Sequence, residues 1–198
     1  MTKFKTTRTT VRFCLQKLLN QGIIYAKKGS GYYLNSFYYF NKIGLKDTNI
    51  LVTYYKIVEV NIEKDILNDI LNTLNINPEE INFDDYIGYV KILFNKSNKA
   101  MGYFKSFLLK TCFDKIDFKA IEISLMNFIR KNNIMLSHSP NVITIENADN
   151  NDHKYLSKNI EKVVVINSVI FDKNNLIIEI VEKHIDCDYF QSSHIKFY

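Results

Sequence analysis

The sequence predicts an α+β protein in two parts, a small basic front and a larger body built on a mainly antiparallel sheet with helices. Three observations predict it. Helical periodicity over residues 7–20 is followed by two short β-prone runs around a basic, glycine-containing tip. Of the 26 basic residues, nine lie in residues 1–46, where there is no acid; the rest of the chain sets 17 bases against all 21 acids, a net charge of −4. From residue 50 onward, strand-like alternation and helix-like periodicity interleave with hairpin signals.

The 198 residues, 46% of them hydrophobic, suffice for a small domain plus a medium one with a real core, which excludes a disordered chain. No apolar run approaches the ~20 residues that span a bilayer, and no apolar leader opens the chain. The expected location is the cytoplasm, with no membrane partner. Cys14, Cys112 and Cys187 are odd in number and far apart, so reduced, packed thiols are expected. No P-loop, GxGxxG or nucleophile elbow is present. His184, Asp186, Asp188 and His194 match no metal-ligand spacing. The expectation is no metal, no cofactor and no enzyme.

Thr7 is an acceptable N-cap for a helix over 7–20 whose apolar face is Val11, Cys14, Leu15, Leu18 and Leu19. Arg8, Thr9, Arg12 and Gln16 fall on the other side, and Gly22 stops the helix. Ile23-Ile24-Tyr25 and Tyr32-Tyr33-Leu34 read as strands joined by the tip Ala26-Lys27-Lys28-Gly29-Ser30-Gly31. A helix followed by a basic-tipped hairpin is the second half of a winged helix, with the helix in the major groove and the wing beside it. A basic segment of this kind binds polyanions through counterion release; the competing reading is a solvated basic face. Arg8 and Arg12 are two of only three arginines in a lysine-rich chain. That points to planar, forked contacts that lysine cannot make.

The run Thr7-Arg8-Thr9-Thr10-Val11-Arg12, then Gly22-Ile23-Ile24, then Gly29-Ser30-Gly31-Tyr32, resembles the GntR-family winged helix over about 30 residues. The resemblance implies double-stranded operator DNA as partner. Arg8, Thr10 and Arg12 would be the recognition contacts and Gly29 would let the wing approach the minor groove. With their neighbours, the candidate DNA contacts are Thr7, Arg8, Thr9, Thr10, Arg12, Lys27, Lys28, Gly29, Ser30 and Gly31. Thr7 and Tyr32 replace the family's Ser and Thr. Met1 falls where that family's second helix should be ending, so residues 1–35 are expected to be a partial winged helix lacking its first helices, through a misassigned start or a truncation.

Residues 36–49 read as an aromatic linker. Beyond it, strands are expected at 51–61, 87–95, 101–110, 134–147, 162–172, 176–186 and 195–198, and helices at 63–74, 118–132 and 151–158. Polar turns at 96–99 and 172–175 make two hairpins. This order over residues 50–198 resembles the UTRA effector-binding domain of the HutC subfamily, whose fold resembles chorismate lyase. Tyr103-Phe104-Lys105-Ser106-Phe107-Leu108-Leu109 and Ile170–Glu179 carry the resemblance. It implies a small-molecule effector, often a sugar phosphate, and a homodimer.

By the same resemblance Ser124 would start a helix that holds an anion, Glu179 would take ligand hydroxyls, and Ser106 matches a family serine of more structural character. The plainer readings are an ordinary helix serine for Ser124 and a surface carboxylate for Glu179. The family's strand arginines fall on Ile92 and Phe94, its acid on Phe104, its tyrosine on Met126 and its late aromatic on Ile185. A pocket without those forks is expected to take a more apolar effector, or none. The expected function is an effector-modulated transcription regulator, such as a repressor. The alternative is a truncated effector-binding and dimerisation module that no longer binds DNA. A chorismate-lyase-like enzyme would need paired buried arginines, and the body holds only Arg130.

Overall fold

The computed structural model describes residues 7–20, 24–34, 42–45 and 52–193. The chain divides into two compact units, one drawn from the residues up to Gly44 together with those from Gln191 on, the other from Leu45–Phe190.

The first unit opens with α1 (Arg8–Asn20). Thr7 caps it: the Thr10 amide donates to Thr7 Oγ1 at 3.2 Å. Val11, Leu15, Leu18 and Leu19 are half-buried on one side, whereas Cys14, expected among them, is exposed, as is Phe13. Strands β1 (Ile24–Lys27) and β2 (Gly31–Leu34) pair antiparallel, with Lys27 opposite Gly31. The turn closes through the Ser30 amide on the Lys27 carbonyl, 3.0 Å. Gly29 and Gly31 have φ of 76° and 114°, a region that β-carbons disfavour, so glycine is required there. Strand β3 (Lys42–Leu45) lies inside the stretch read as linker and pairs with β10 (Phe190–Ser193). The strand expected at 195–198 lies outside the described residues.

The second unit is α+β. Strands β4 (Val52–Val60), β5 (Tyr86–Asn95), β6 (Ala100–Leu109), β7 (Asn141–Asn147), β8 (Lys162–Phe171) and β9 (Ile177–Asp186) form one six-stranded antiparallel sheet in the order β4-β5-β6-β9-β8-β7. Three central strands, β5, β6 and β9, are buried along most of their length, which explains their continuous apolar runs. Helix α2 (Leu67–Thr73) buries Leu67, Ile70 and Leu71 and starts four residues later than its periodicity suggested. Helix α3 (Phe118–Lys131) buries Ile121, Phe128 and Ile129, and α4 (Asn150–Tyr155) is short. The strand expected from 134 begins only at Asn141; residues 134–140 make one isolated bridge, Leu136 to Asp172.

Alternation along the strands sorts the two faces of the sheet. Tyr89, Lys91, Phe104, Ser106, Glu179, Val181 and Lys183 share the face that α3 covers, where Phe118 meets Tyr89 edge-on at 5.8 Å. The opposite face carries Tyr103, Glu182 and His184, with Tyr155 of α4 packed on Tyr103 at 4.8 Å. Close approach fixes two glycines: a β-carbon on Gly88 would stand 2.6 Å from Ile62 and 2.9 Å from Phe107, and one on Gly102 would stand 2.8 Å from the His184 carbonyl oxygen. Gly88→Ala should therefore destabilise by about 1–3 kcal/mol through overpacking, read as a lower urea midpoint at unchanged slope.

Candidate functional site: a two-lysine cavity under a broken helix

Helix α3 is interrupted. Ser124 has φ −166° and ψ 106°, extended backbone that splits the helix in two. The break leaves backbone groups on both sides without their intrahelical partners. On the C-terminal side, the Asn127 amide donates to Ser124 Oγ at 3.3 Å, so Ser124 caps the second half. On the N-terminal side, the Lys91 ammonium donates to the Ile121 carbonyl at 2.8 Å. A cation at a helix C-terminus is also favoured by the helix dipole. Next door, the Ile57 amide of β4 donates to Glu122 Oε2 at 2.7 Å, at a register shift between β4 and β5. Ser124→Ala should cost about 1 kcal/mol and Ser124→Gly only a few tenths; calorimetric melting of the two variants checks it.

Beneath this break lies a cavity of about 260 Å³ lined by residues of β4, β5, β6, β8, β9 and α3. Ser106, Ser124 and Glu179, far apart in sequence, all line it. Glu179 is buried, 4% exposed, so the surface-carboxylate reading is overturned; it points inward from the centre of the sheet. Burial raises its pKa above the usual carboxylate range against the pull of Lys183, Ser106 and Lys91. Burial likewise raises the Tyr89 phenol, with Glu179 adding to the effect and Ser106 opposing it.

Two lysines missed in the sequence line the same space. Lys91 is 7% exposed, and its ammonium sits 4.3 Å from the Tyr55 ring centre. Burial pulls its pKa down to about 8, against Glu179 and Glu122, so at neutral pH it remains a cation. Lys183 is half-buried with its ammonium 5.6 Å from the Phe104 ring centre; burial lowers its pKa too, against Glu179. The two lysines supply cations where the resemblance pointed only to arginines. Ile92, where the resemblance placed an arginine, packs with Val90, Tyr103 and Tyr155, and Phe94 packs against that cluster. The signal was available: a lysine in the middle of the run Tyr89-Val90-Lys91-Ile92-Leu93 has to be either buried or the end of the strand.

The candidate DNA contacts sit in the first unit. Thr7 is exposed at the cap of α1, Arg8, Thr9, Thr10 and Arg12 are exposed on the helix, and Lys27, Lys28, Gly29, Ser30 and Gly31 are exposed on the hairpin. Among the described residues neither Arg8 nor Arg12 is in an ion pair. No described helix is long and apolar enough to cross a membrane.

Comparison with solved structures places this geometry. The chain superposes on YydK of Bacillus subtilis, described as a possible transcriptional regulator, at a TM-score of 0.76 and 16% identity, covering 100% of this chain and 87% of that one. The effector-binding domain of the Bacillus subtilis trehalose repressor matches at 0.61 and 14% identity, over 74% of this chain and 99% of that one. A GntR-family transcriptional regulator from Enterococcus faecalis matches at 0.52 and 16% identity, over 73% and 98%. The fold is that of the GntR-family regulators. The six-stranded sheet with its helices corresponds to the effector-binding domain of that fold. No protein-family model matches the sequence, and no curated protein does.

Proposed function

We propose that this chain is a transcription regulator of the GntR family, HutC type, whose operator binding is modulated by a small molecule held in the cavity under α3. Residues 1–35 make the DNA contact, 36–49 link, and 50–198 supply the effector site and the homodimer contact. The protein works in the cytoplasm and is not an enzyme. The observation that carries this reading is the exposure of Arg8, Thr9 and Arg12 on one side of α1, beside a basic hairpin tip. Regulator-like fold along the whole chain favours it over a module that has lost its DNA contact. Lys27 and Lys28 lie along the backbone, and the positive φ of Gly29 and Gly31 keeps the tip narrow.

The test is selection from a random duplex pool with the full chain, followed by a salt titration on the enriched sequence. A homodimer should enrich an inverted repeat whose half-sites are spaced by about one helical turn. Affinity should fall steeply with salt, with a slope of about −0.9 per phosphate neutralised. A pool that shows no enrichment, or binding that ignores salt, would overturn the reading.

A further inference from the structure

The floor of the cavity is ordered in three transverse rows. Lys91, Phe104 and Lys183 are direct neighbours across β5, β6 and β9. With strands about 4.8 Å apart, the two lysine backbones stand roughly 10 Å apart with an aromatic ring between them. The next row is Tyr89, Ser106 and Val181, and the third contributes Glu179. Glu179 and Lys183 are four residues apart on one strand, about 13 Å along it. The cavity therefore has a cationic end, a hydroxyl in the middle and a carboxylate at the far end.

Beyond Ser124 and the rings of Tyr55 and Tyr89, its walls are apolar, with Leu125, Met126, Ile170 and Val181 among the lining. Two lysines face one carboxylate in its lining, and its size lies near the lower end for ligand sites. No arginine lines it, so it lacks the planar fork that suits phosphate.

From this arrangement we propose that the ligand is a small organic carboxylate with an apolar body and a hydrogen-bond donor at its far end. Lys91 and Lys183 hold the carboxylate on either side of Phe104, and Glu179 accepts from the donor. An ammonium has three donors; the Lys91 ammonium spends one on Ile121 and keeps others for the ligand. This proposal rests on reading the cavity as the effector site.

Titration calorimetry on the full chain tests it with 3-(4-hydroxyphenyl)propionate, 3-phenylpropionate, their neutral alcohols and glucose 6-phosphate. The hydroxylated carboxylate should bind, and the neutral alcohols should not. Lys91→Met and Lys183→Met should each weaken it at least about tenfold, since a charge-assisted hydrogen bond is lost. Glu179→Met should erase the preference for the hydroxylated over the plain carboxylate, whereas Glu179→Gln, which keeps an acceptor oxygen, should only reduce it. If Lys91→Met fails to fold because Ile121 loses its cap, Lys183→Met carries the test, with Lys183→Arg restoring part of the affinity. Unchanged affinity in Lys183→Met overturns the proposal, as does failure of both carboxylates at millimolar concentration. Binding of glucose 6-phosphate alone also overturns it, while leaving the effector reading intact. Carboxylate binding that never alters operator affinity supports the proposal and defeats the effector reading.

Discussion

Asp152→Ala should destabilise the second unit by about 3–5 kcal/mol, because it takes one of two carboxylate partners from a buried imidazolium and opens the cap of a helix. On the sheet face away from the cavity, His184 Nδ1 lies 2.7 Å from Asp152 Oδ1 and its Nε2 lies 3.0 Å from Glu182 Oε1. Lys105 donates to the same Glu182 oxygen at 3.0 Å, and the imidazole stacks on Tyr103 at 4.7 Å. Asp152 also closes the capping box of α4 with Asp149, so one carboxylate ties that helix to β9. Burial disfavours the imidazolium, but the two carboxylates override it and push the pKa up to about 9. The folded value lies above the unfolded 6.5. The stabilisation is therefore complete below about pH 6.5 and drains away as pH rises towards 9. Asp152 and Glu182 shift the other way, downward, so their share is lost on acidification. Melting temperature across pH 5–10 should show this fall in the wild type and a flatter profile in His184→Gln. A wild-type profile that stays level between pH 6.5 and 9 would refute a charged His184.

Arg8→Ala and Arg12→Ala should each weaken operator binding by about 1–3 kcal/mol, roughly 5- to 150-fold, and relax specificity where each guanidinium reads a base. Lys27→Ala and Lys28→Ala should weaken all sequences alike and reduce the salt slope by about one each. Fluorescence anisotropy at several salt concentrations separates the two behaviours. The side chains are exposed, so circular dichroism should be unchanged. Full affinity in the double arginine variant would remove α1 from the interface and with it the main support for the regulator reading.

Element types in the second unit were legible because its strands and helices have distinct apolar periods, and several of their ends fall at asparagines. Asn61, Asn75, Asn98, Asn133 and Asn175 all have positive φ. Each sits at, or one residue beyond, an end or turn expected from the sequence. Asparagine tolerates the left-handed region, and in a chain with six glycines it takes over that work. Residues 134–140 were misread because Ile134 and Leu136 are apolar and alternate; they pack on the core without a strand partner beyond one bridge. The cavity was half legible. Ser106, Ser124 and Glu179 came from resemblance; Lys91 was signalled by the apolar run around it, but that it shares a face with Lys183 needed the strand register, which local pattern does not supply.

Strand β9 works on both sides. Glu179 and Lys183 face the cavity; Glu182 and His184 face the ion-pair network. Losing or gaining a single residue between Glu179 and His184 would rotate half the strand by one pleat, presenting the imidazole to the ligand and the lysine to Asp152. Length in this stretch should therefore be held fixed through evolution even where its letters drift, and engineered deletions here should abolish ligand recognition and helix anchoring in one stroke.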